Sequence, residues 1–281
     1  MTAPEIHAPL RIAILGAGYV GGALARAASA RGHKVWAVRR SVSAPASDGV
    51  HWLCGAIASG VIEGVPDVLD AVVLTIAPSS ADSYDDTYPP AAAAALALAA
   101  RTRARTLIYT SSTGVYGGSD GAWVTEQSPR LGAGEGNAAL MAAEDVLLSA
   151  GARGVSVLRV AGIYGPGRDP RARMRTATAL PQQGQYWVNL AHRDDIVSAA
   201  LHVIALPNPP AVLNLADGSP TRAADVSRWL AQESGTDPES LVFGNTAQRS
   251  RNDQRVSTST LVATGWSPAY PSFREGFRSG L

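Results

Sequence analysis

Three glycines near the start of the chain constrain its fold more than any other feature. Gly16, Gly18 and Gly21 follow the apolar segment 10–15 and open a helix-like stretch over 20–30. In this spacing the first glycine permits a tight turn, the second lets the backbone approach an anion, and the third lets the helix pack on the strand. The helix amino terminus attracts the anion through its N–H groups and dipole. We therefore expect a pyrophosphate-binding turn whose contacts are Gly16, Gly18, Tyr19, Val20 and Gly21.

Short apolar segments alternate with helical segments along the first 160 residues. Strands are predicted at 10–15, 34–38, 50–53, 71–76, 106–110 and 155–160, and helices at 20–30, 91–100 and 137–150. This alternation indicates right-handed crossovers and a parallel sheet covered on both faces. The predicted class is α/β, a Rossmann doubly wound parallel sheet with a smaller C-terminal substrate lobe. The Rossmann domain is assigned to 8–165 and the lobe to 166–281, with segments at 188–216 packing back on the sheet.

Composition narrows the classes of function. The chain has 281 residues, is 46% hydrophobic and carries a net charge of +1, which offers no bulk attraction to nucleic acid or a membrane. Cys54 is the single cysteine, so no intrachain disulfide forms and a reducing, cytoplasmic location fits best. We see no secretion signal at residues 1–5 and no His/Cys cluster for a metal. A cytoplasmic protein acting on a small molecule is predicted.

The end of the second predicted strand indicates which dinucleotide is preferred. An NAD site usually ends this strand with an acidic residue that holds the ribose hydroxyls. Here the chain reads Val38-Arg39-Arg40-Ser41, without an acid. A carboxylate repels a 2′-phosphate, whereas guanidinium groups bind it. The predicted cofactor is therefore NADP(H), with Arg39, Arg40 and Ser41 around the phosphate.

Further motifs give the chain a family resemblance. Residues 109–117 read YTSSTGVYG, residues 159–166 read RVAGIYGP, residues 189–195 read NLAHRDD and residues 264–268 read TGWSP. With the glycine turn, these segments resemble the extended and atypical short-chain dehydrogenases/reductases, the NAD-dependent epimerase/dehydratase group. The resemblance covers nearly the whole chain and implies a Rossmann domain, a substrate lobe and a reacting carbon in a cleft.

The resemblance also implies roles for individual residues. Ser112 stands at the position of the family's catalytic Ser/Thr, whose hydroxyl holds a substrate carbonyl or alcohol. The backbone at Thr75, Ala77 and Pro78 would pass the cofactor riboses, and Tyr164 would lie near the nicotinamide.

The chain departs from the family at the catalytic helix. Where the family has Tyr-x-x-x-Lys, this sequence has Gly136 in the tyrosine slot and Leu140 in the lysine slot. Lys34 is the only lysine in the chain, so no shifted copy restores the pair. In the family, the lysine holds the nicotinamide ribose and lowers the tyrosine pKa. An unaided phenol titrates near ~10 and is a poor base at neutral pH.

Two residues are candidates to replace the missing proton donor. Tyr116 follows the serine motif, although a packing or substrate-wall role suits it better. His192 titrates near neutrality, although its His-x-x-Asp context is typical of a docking segment in which Asp194 caps a helix. Glu135 and Asn137 flank the altered slot as third choices.

Arginines could recognise an anionic substrate. Arg171 and Arg175 are spaced to share one helical face, and Arg249, Arg251 and Arg255 stand where related nucleotide-sugar enzymes bind phosphate. Solvated surface charge is the alternative for most of them.

The sequence is compatible with three functions. The first is an NADP(H)-dependent oxidoreductase moving hydride to or from a small carbonyl or alcohol. The second is an epimerase, dehydratase or isomerase without net redox, and the third is a catalytically silent NADP(H) sensor. A homodimer is left open, because the helices that would pair could equally be buried core.

Overall fold

The structure is a computed structural model. It describes residues 8–41, 48–60, 62–78, 83–118, 120–151, 154–169, 184–243 and 253–279.

A seven-stranded sheet forms the centre of the fold. Its strands are β1 (Arg11–Leu15), β2 (Lys34–Arg39), β3 (Val50–Cys54), β4 (Ala71–Leu74), β5 (Thr106–Ser112), β7 (Val155–Val160) and β11 (Val212–Leu215). They lie in the order β3-β2-β1-β4-β5-β7-β11, and the pairs β1–β2, β1–β4, β2–β3 and β4–β5 are parallel. This is the order of a doubly wound nucleotide-binding sheet, which switches direction between β1 and β4.

Three helices connect the strands of this sheet. They are α1 (Tyr19–Ala30), α2 (Tyr88–Thr102) and α3 (Glu135–Ser149). Proline stands in the first turn of α2, where its fixed φ and missing N–H cost nothing. Strands β4 and β7 are buried along their whole length, as a sheet covered on both faces requires. The predicted α/β Rossmann class is confirmed.

The remaining elements are short. The other strands are β6 (Trp123–Val124), β8 (Gly162–Tyr164), β9 (Trp187–Val188), β10 (Leu190–His192), β12 (Thr221–Arg222) and β13 (Arg255–Val256), and they pair as β6–β13, β8–β10 and β9–β12. Further α-helices span Arg193–Ala205, Ala223–Glu233, Ser259–Ala263 and Phe273–Arg278. The helix expected to begin at Asp194 begins at Arg193, so Asp194 lies inside its first turn rather than capping it.

The chain forms two compact units. Unit 1 comprises residues 1–112, 134–159 and 196–213, and unit 2 comprises residues 113–133, 160–195 and 214–281. The chain thus passes between the units several times. The simpler division into 8–165 and 166–281 stays a prediction.

The described ranges contain neither a membrane-spanning helix nor a metal-type cluster. No helix there is long and apolar enough to cross a membrane. No group of three or more His, Cys, Asp or Glu side chains in those ranges has the arrangement of a metal site.

Candidate functional site

The glycine turn after β1 is built from close backbone contacts within unit 1. Gly16 has a φ of +90°, and a Cβ there would lie 2.8 Å from the carbonyl oxygen of Thr75. A Cβ at Gly21 would lie 2.3 Å from Oγ1 of Thr75 and 2.6 Å from the carbonyl oxygen of Gly16. Neither position can accept a larger side chain without a shift of its surroundings. These two glycines therefore shape the turn itself.

Gly18 faces open space instead. The nearest atom to a Cβ at Gly18 would be 4.0 Å away. Gly18 also precedes α1 as its N-cap, and no side chain caps this helix end. The loop thus presents exposed backbone at a helix amino terminus, where an anion is stabilised by N–H groups and dipole. These residues fit the pyrophosphate of a dinucleotide, with Tyr19 and Val20 in the first turn of α1.

Neighbouring strands hold this turn in place. The N–H groups of Gly16 and Ala17 donate to the carbonyl oxygen of Val38, at 3.0 and 2.8 Å. The hydroxyl of Thr75 donates to the carbonyl oxygen of Gly16 at 2.9 Å. Ala77 is exposed and Pro78 half-buried just after Thr75, at the carboxyl end of β4. This is the switch point of the sheet, where ligands bind in such folds.

An arginine–tryptophan stack lies at the end of β2. The guanidinium of Arg39 lies 4.6 Å from the ring centroid of Trp52, which stands on the adjacent strand β3. Asp48 accepts a hydrogen bond from the indole nitrogen of Trp52 at 3.1 Å. Arg40 and Ser41 follow as exposed residues. Sequence reasoning missed Trp52, although an aromatic residue on the strand beside β2 was an available signal.

Ser112 is the last residue of β5 and is half-buried. Its neighbour Ser111 is buried and donates from its hydroxyl to Oε1 of Glu144 at 2.6 Å. Successive residues of a strand point to opposite faces of a sheet, so the side chains of Ser111 and Ser112 lie in different environments. Glu144 also accepts from Arg159, with Nη2 and Oε2 2.7 Å apart. This buried network, whose role the sequence did not reveal, ties β5 to α3 and β7.

Gly136 and Leu140, which the resemblance predicts to stand in the tyrosine and lysine slots, lie on the first turns of α3. A Cβ at Gly136 would lie 3.3 Å from Cε1 and from Cζ of Tyr84. Leu140, one turn later, is buried. An aromatic ring from the segment before α2 therefore lies against the position where the resemblance predicts the family's tyrosine.

Tyr116 lies in unit 2 and is held by a hydrogen bond. Its hydroxyl donates to Oδ1 of Asn214 at 2.6 Å, and its side chain is 2% exposed. The amide of Asn214 in turn donates to the carbonyl oxygen of Ser257. These contacts connect distant parts of unit 2 through the tyrosine.

His192 and Tyr164 lie together in the core of unit 2. Nδ1 of His192 accepts from the N–H of Asp194 at 3.2 Å, and Nε2 is buried without a partner in the described chain. The ring contacts Tyr164 at 5.2 Å and Tyr270 at 4.0 Å between centroids. Burial lowers the pKa of the His192 imidazole and raises that of the Tyr164 phenol.

Two buried carboxylates accompany this aromatic cluster. Asp195 accepts from the backbone N–H groups of Ala269 and Tyr270, at 2.7 and 3.1 Å. Asp217 accepts from the N–H of Ser219 at 2.9 Å, while its Oδ2 has no partner in the described ranges. Burial raises the pKa of Asp217 to about 7. Within unit 2, Asp195 thus connects the start of the helix Arg193–Ala205 to residues 269–270.

Most of the candidate anion-binding arginines fall outside the described residues, namely Arg171, Arg175, Arg249 and Arg251. Arg255 is described: its Nε donates to the carbonyl oxygen of Gly121 at 2.7 Å, and its guanidinium lies 5.2 Å from the ring centroids of Trp123 and Trp187. It thus takes part in the packing of unit 2.

The sheet order and the glycine turn define an α/β protein of the Rossmann class with a dinucleotide-type turn. The sequence profile of the NAD dependent epimerase/dehydratase family matches residues 12–216, and the chain belongs to this family. It is 31% identical to protein YeeZ of Escherichia coli K12 over 218 residues, which cover 73% of this chain and 77% of YeeZ.

Solved structures agree in fold. One, from Methylobacillus flagellatus and described as an NAD-dependent epimerase/dehydratase, is 26% identical with a TM-score of 0.78, covering 97% of each chain. The Bordetella bronchiseptica enzyme WbmG, solved with NAD, has a TM-score of 0.81 at 16% identity, covering 98% of this chain and 94% of WbmG. At that identity the second likeness concerns the fold alone.

Proposed function

We propose that this protein is an NADP(H)-dependent oxidoreductase that transfers hydride to or from a small carbonyl or alcohol. The end of β2 carries the proposal. Arg39 is held over Trp52 there, Arg40 follows it, and no carboxylate stands between Val38 and Ser41. A fixed guanidinium suits a 2′-phosphate and loses little entropy on binding it.

The remaining cofactor contacts are assigned along the carboxyl edge of the sheet. Gly16, Gly18 and Gly21 with the start of α1 would hold the pyrophosphate, and the backbone at Thr75, Ala77 and Pro78 would face the riboses. Tyr164 was expected beside the nicotinamide, and that assignment stays a proposal. Membership of the NAD dependent epimerase/dehydratase family supports a nicotinamide dinucleotide of some kind.

The chemistry assigned to this chain is positioning and proton transfer. When bound, the cofactor supplies or accepts the hydride. The hydroxyl of Ser112 would donate a hydrogen bond to the substrate oxygen and orient the reacting carbon. Tyr116 and His192 remain the sequence-derived candidates for proton transfer, together with water. The substrate is proposed to be sugar-like or anionic.

A reaction without net redox is the second candidate. The family to which the chain belongs is named after epimerases and dehydratases. Because one fold supports several chemistries, such a reaction fits the same architecture. A silent NADP(H) sensor is the third, favoured by Gly136 and Leu140 in the slots for tyrosine and lysine.

Cofactor titration and turnover assays separate these functions. Calorimetry should show tighter binding of NADPH than of NADH, and Arg39→Ala with Arg40→Ala should weaken NADPH binding far more than NADH binding. Equal losses for both cofactors would contradict the NADP(H) assignment. A panel of aldehydes and ketones followed at the nicotinamide absorbance should then reveal turnover, which Ser112→Ala should abolish.

Two negative results point to the other candidates. Tight binding of NADPH without consumption, but with conversion of a nucleotide sugar detected by chromatography, indicates the reaction without net redox. Tight binding without any conversion indicates the sensor. A cytoplasmic location and a homodimer belong to the proposal as well; fractionation and size-exclusion chromatography with light scattering test them.

A further inference from the structure

The ring of Tyr84 lies against the altered catalytic slot. Gly136 is the second residue of α3, and a Cβ there would approach Cε1 and Cζ of Tyr84 at 3.3 Å and Cδ1 at 3.5 Å. The edge of the ring that runs from Cδ1 to Cζ therefore faces the first turn of α3. Glycine at 136 is what permits this approach, because a tyrosine there would compete for the same space.

A short turn holds Tyr84 in this position. Ser83 donates from its hydroxyl to Asp86 at 2.6 Å, and the hydroxyl of Thr87 donates to the carbonyl oxygen of Ser83 at 2.7 Å. The N–H of Tyr88 donates to the carbonyl oxygen of Tyr84 at 3.0 Å. The two tyrosine rings stack with 6.2 Å between centroids and 13° between planes. The ring is therefore positioned by its own turn and by the start of α2.

Tyr84 is also accessible, unlike Tyr116 and His192. All eight tyrosines lie in the described ranges, and Tyr84 is the only one of them that is exposed, with 44% of its surface accessible. Tyr116 and His192 are 2% and 1% exposed. A proton donor must reach the substrate within hydrogen-bond distance, so exposure favours Tyr84 over both.

The topology places Tyr84 on the proper edge of the sheet. It follows β4, Ser112 ends the neighbouring strand β5, and both belong to unit 1. Helix α3 precedes β7, so its amino terminus with Gly136 lies toward the carboxyl ends of the strands, as crossover helices do. Ligands bind at that edge in open α/β sheets.

We infer that Tyr84 is the catalytic proton donor of this protein and replaces, from a different segment, the tyrosine that Gly136 lacks. This inference rests on the proposed oxidoreductase function. A bound reduced nicotinamide would supply the hydride for the new C–H bond at the carbonyl carbon and would itself be oxidised. The carbonyl π pair then takes the Tyr84 proton, so a substrate O–H bond forms as the phenol O–H bond breaks. The phenolate regains its proton from water.

Tyr84→Phe tests the inference in turnover. It should lower kcat for carbonyl reduction by about 100-fold or more, the usual contribution of general acid catalysis, with the Kd for NADPH unchanged. Tyr186→Phe is the matched control, because it removes a phenol from a half-buried site in unit 2, and should leave kcat unchanged. Wild-type kcat in Tyr84→Phe overturns the inference.

Nitration supplies a readout that does not depend on turnover. Tetranitromethane should modify the exposed Tyr84 first, and peptide mass spectrometry measures the rate. Saturating NADPH, or NADH if it binds more tightly, should slow this modification several-fold. Cofactor binding without protection overturns the role of Tyr84 alone and leaves the proposed function standing.

The remaining outcomes are equally decisive. If calorimetry detects neither NADPH nor NADH binding, the proposed function and the inference fail together. If cofactor binds and protects Tyr84 but no carbonyl on the panel is reduced, the proton-donor role is rejected.

Discussion

Arg159 and Glu144 form a buried ion pair in which both carboxylate oxygens accept from the guanidinium. Nε of Arg159 lies 3.1 Å from Oε1, and Nη2 lies 2.7 Å from Oε2. The arginine and glutamate side chains are 4% and 0% exposed. With Ser111 donating to the same carboxylate, the pair fastens β5, α3 and β7 behind Ser112. Removing one partner would leave a charge buried without compensation.

Glu144→Gln should therefore lower the free energy of unfolding by about 3–5 kcal/mol, the usual cost of breaking a buried pair. Chemical denaturation measures this change. Asp225→Asn is the control, because its ion pair with Arg228 is exposed at 3.4 Å and should contribute less than about 1 kcal/mol. Similar losses in the two variants would show that the buried pair has no special role.

Gly21 and Gly22 should respond oppositely to alanine. A Cβ at Gly21 meets Thr75 and the Gly16 backbone at 2.3 and 2.6 Å, whereas the nearest atom at Gly22 is 3.5 Å away. Gly21→Ala should cost about 1–3 kcal/mol through overpacking and weaken dinucleotide binding. Gly22→Ala, inside α1, should stabilise the protein by about 0.5–1 kcal/mol through helix propensity. Thermal denaturation and calorimetry measure both effects, and a stable Gly21→Ala with normal binding would contradict this account.

Trp52→Leu should remove the support of the Arg39 guanidinium and reduce the preference for NADPH over NADH. A cation–π contact contributes about 0.5–2 kcal/mol, so the NADPH affinity should fall about two- to thirty-fold, with a smaller change for NADH. Isothermal titration gives both affinities. Trp123→Leu, which removes the ring beside Arg255 in unit 2, should change neither.

Asp217 should make the protein less stable as pH rises. Burial, then the nearby acids Asp195 and Glu275, raise its pKa from 3.8 to about 7. The folded state thus binds the proton more tightly than the unfolded state, so the stabilisation is complete below about pH 4 and is lost as pH rises through about 7. Stability curves at pH 5 to 9 should show this decline.

Asp217→Asn should flatten that pH dependence. The amide keeps an oxygen to accept from Ser219 and carries no charge, so the variant should exceed the wild type in stability by at least about 1 kcal/mol at pH 8. An unchanged slope between pH 5 and 8 would assign the pH dependence to other groups.

The strands and first helices were predictable because their signals are local. Apolar runs, glycine spacing and proline at a helix start placed β1, α1, β2 and α2 within a few residues of the observed bounds. Strand β11, which completes the sheet beside β7, lies in the range 188–216 that was expected to pack back on the sheet, but no strand was predicted there. A four-residue apolar segment is too short to show the alternation of apolar and polar side chains that would identify it as a strand.

The sequence by itself determined the Rossmann class, the glycine turn, the absence of an acid at residues 38–41, and glycine and leucine at positions 136 and 140. Each depends on residue types at fixed spacing along one segment. Only the tertiary structure decided that Trp52 supports Arg39, that Glu144 and Arg159 pair, and that Tyr84 lies against Gly136. These contacts join side chains far apart in the chain, and side-chain packing brings them together without leaving a local pattern.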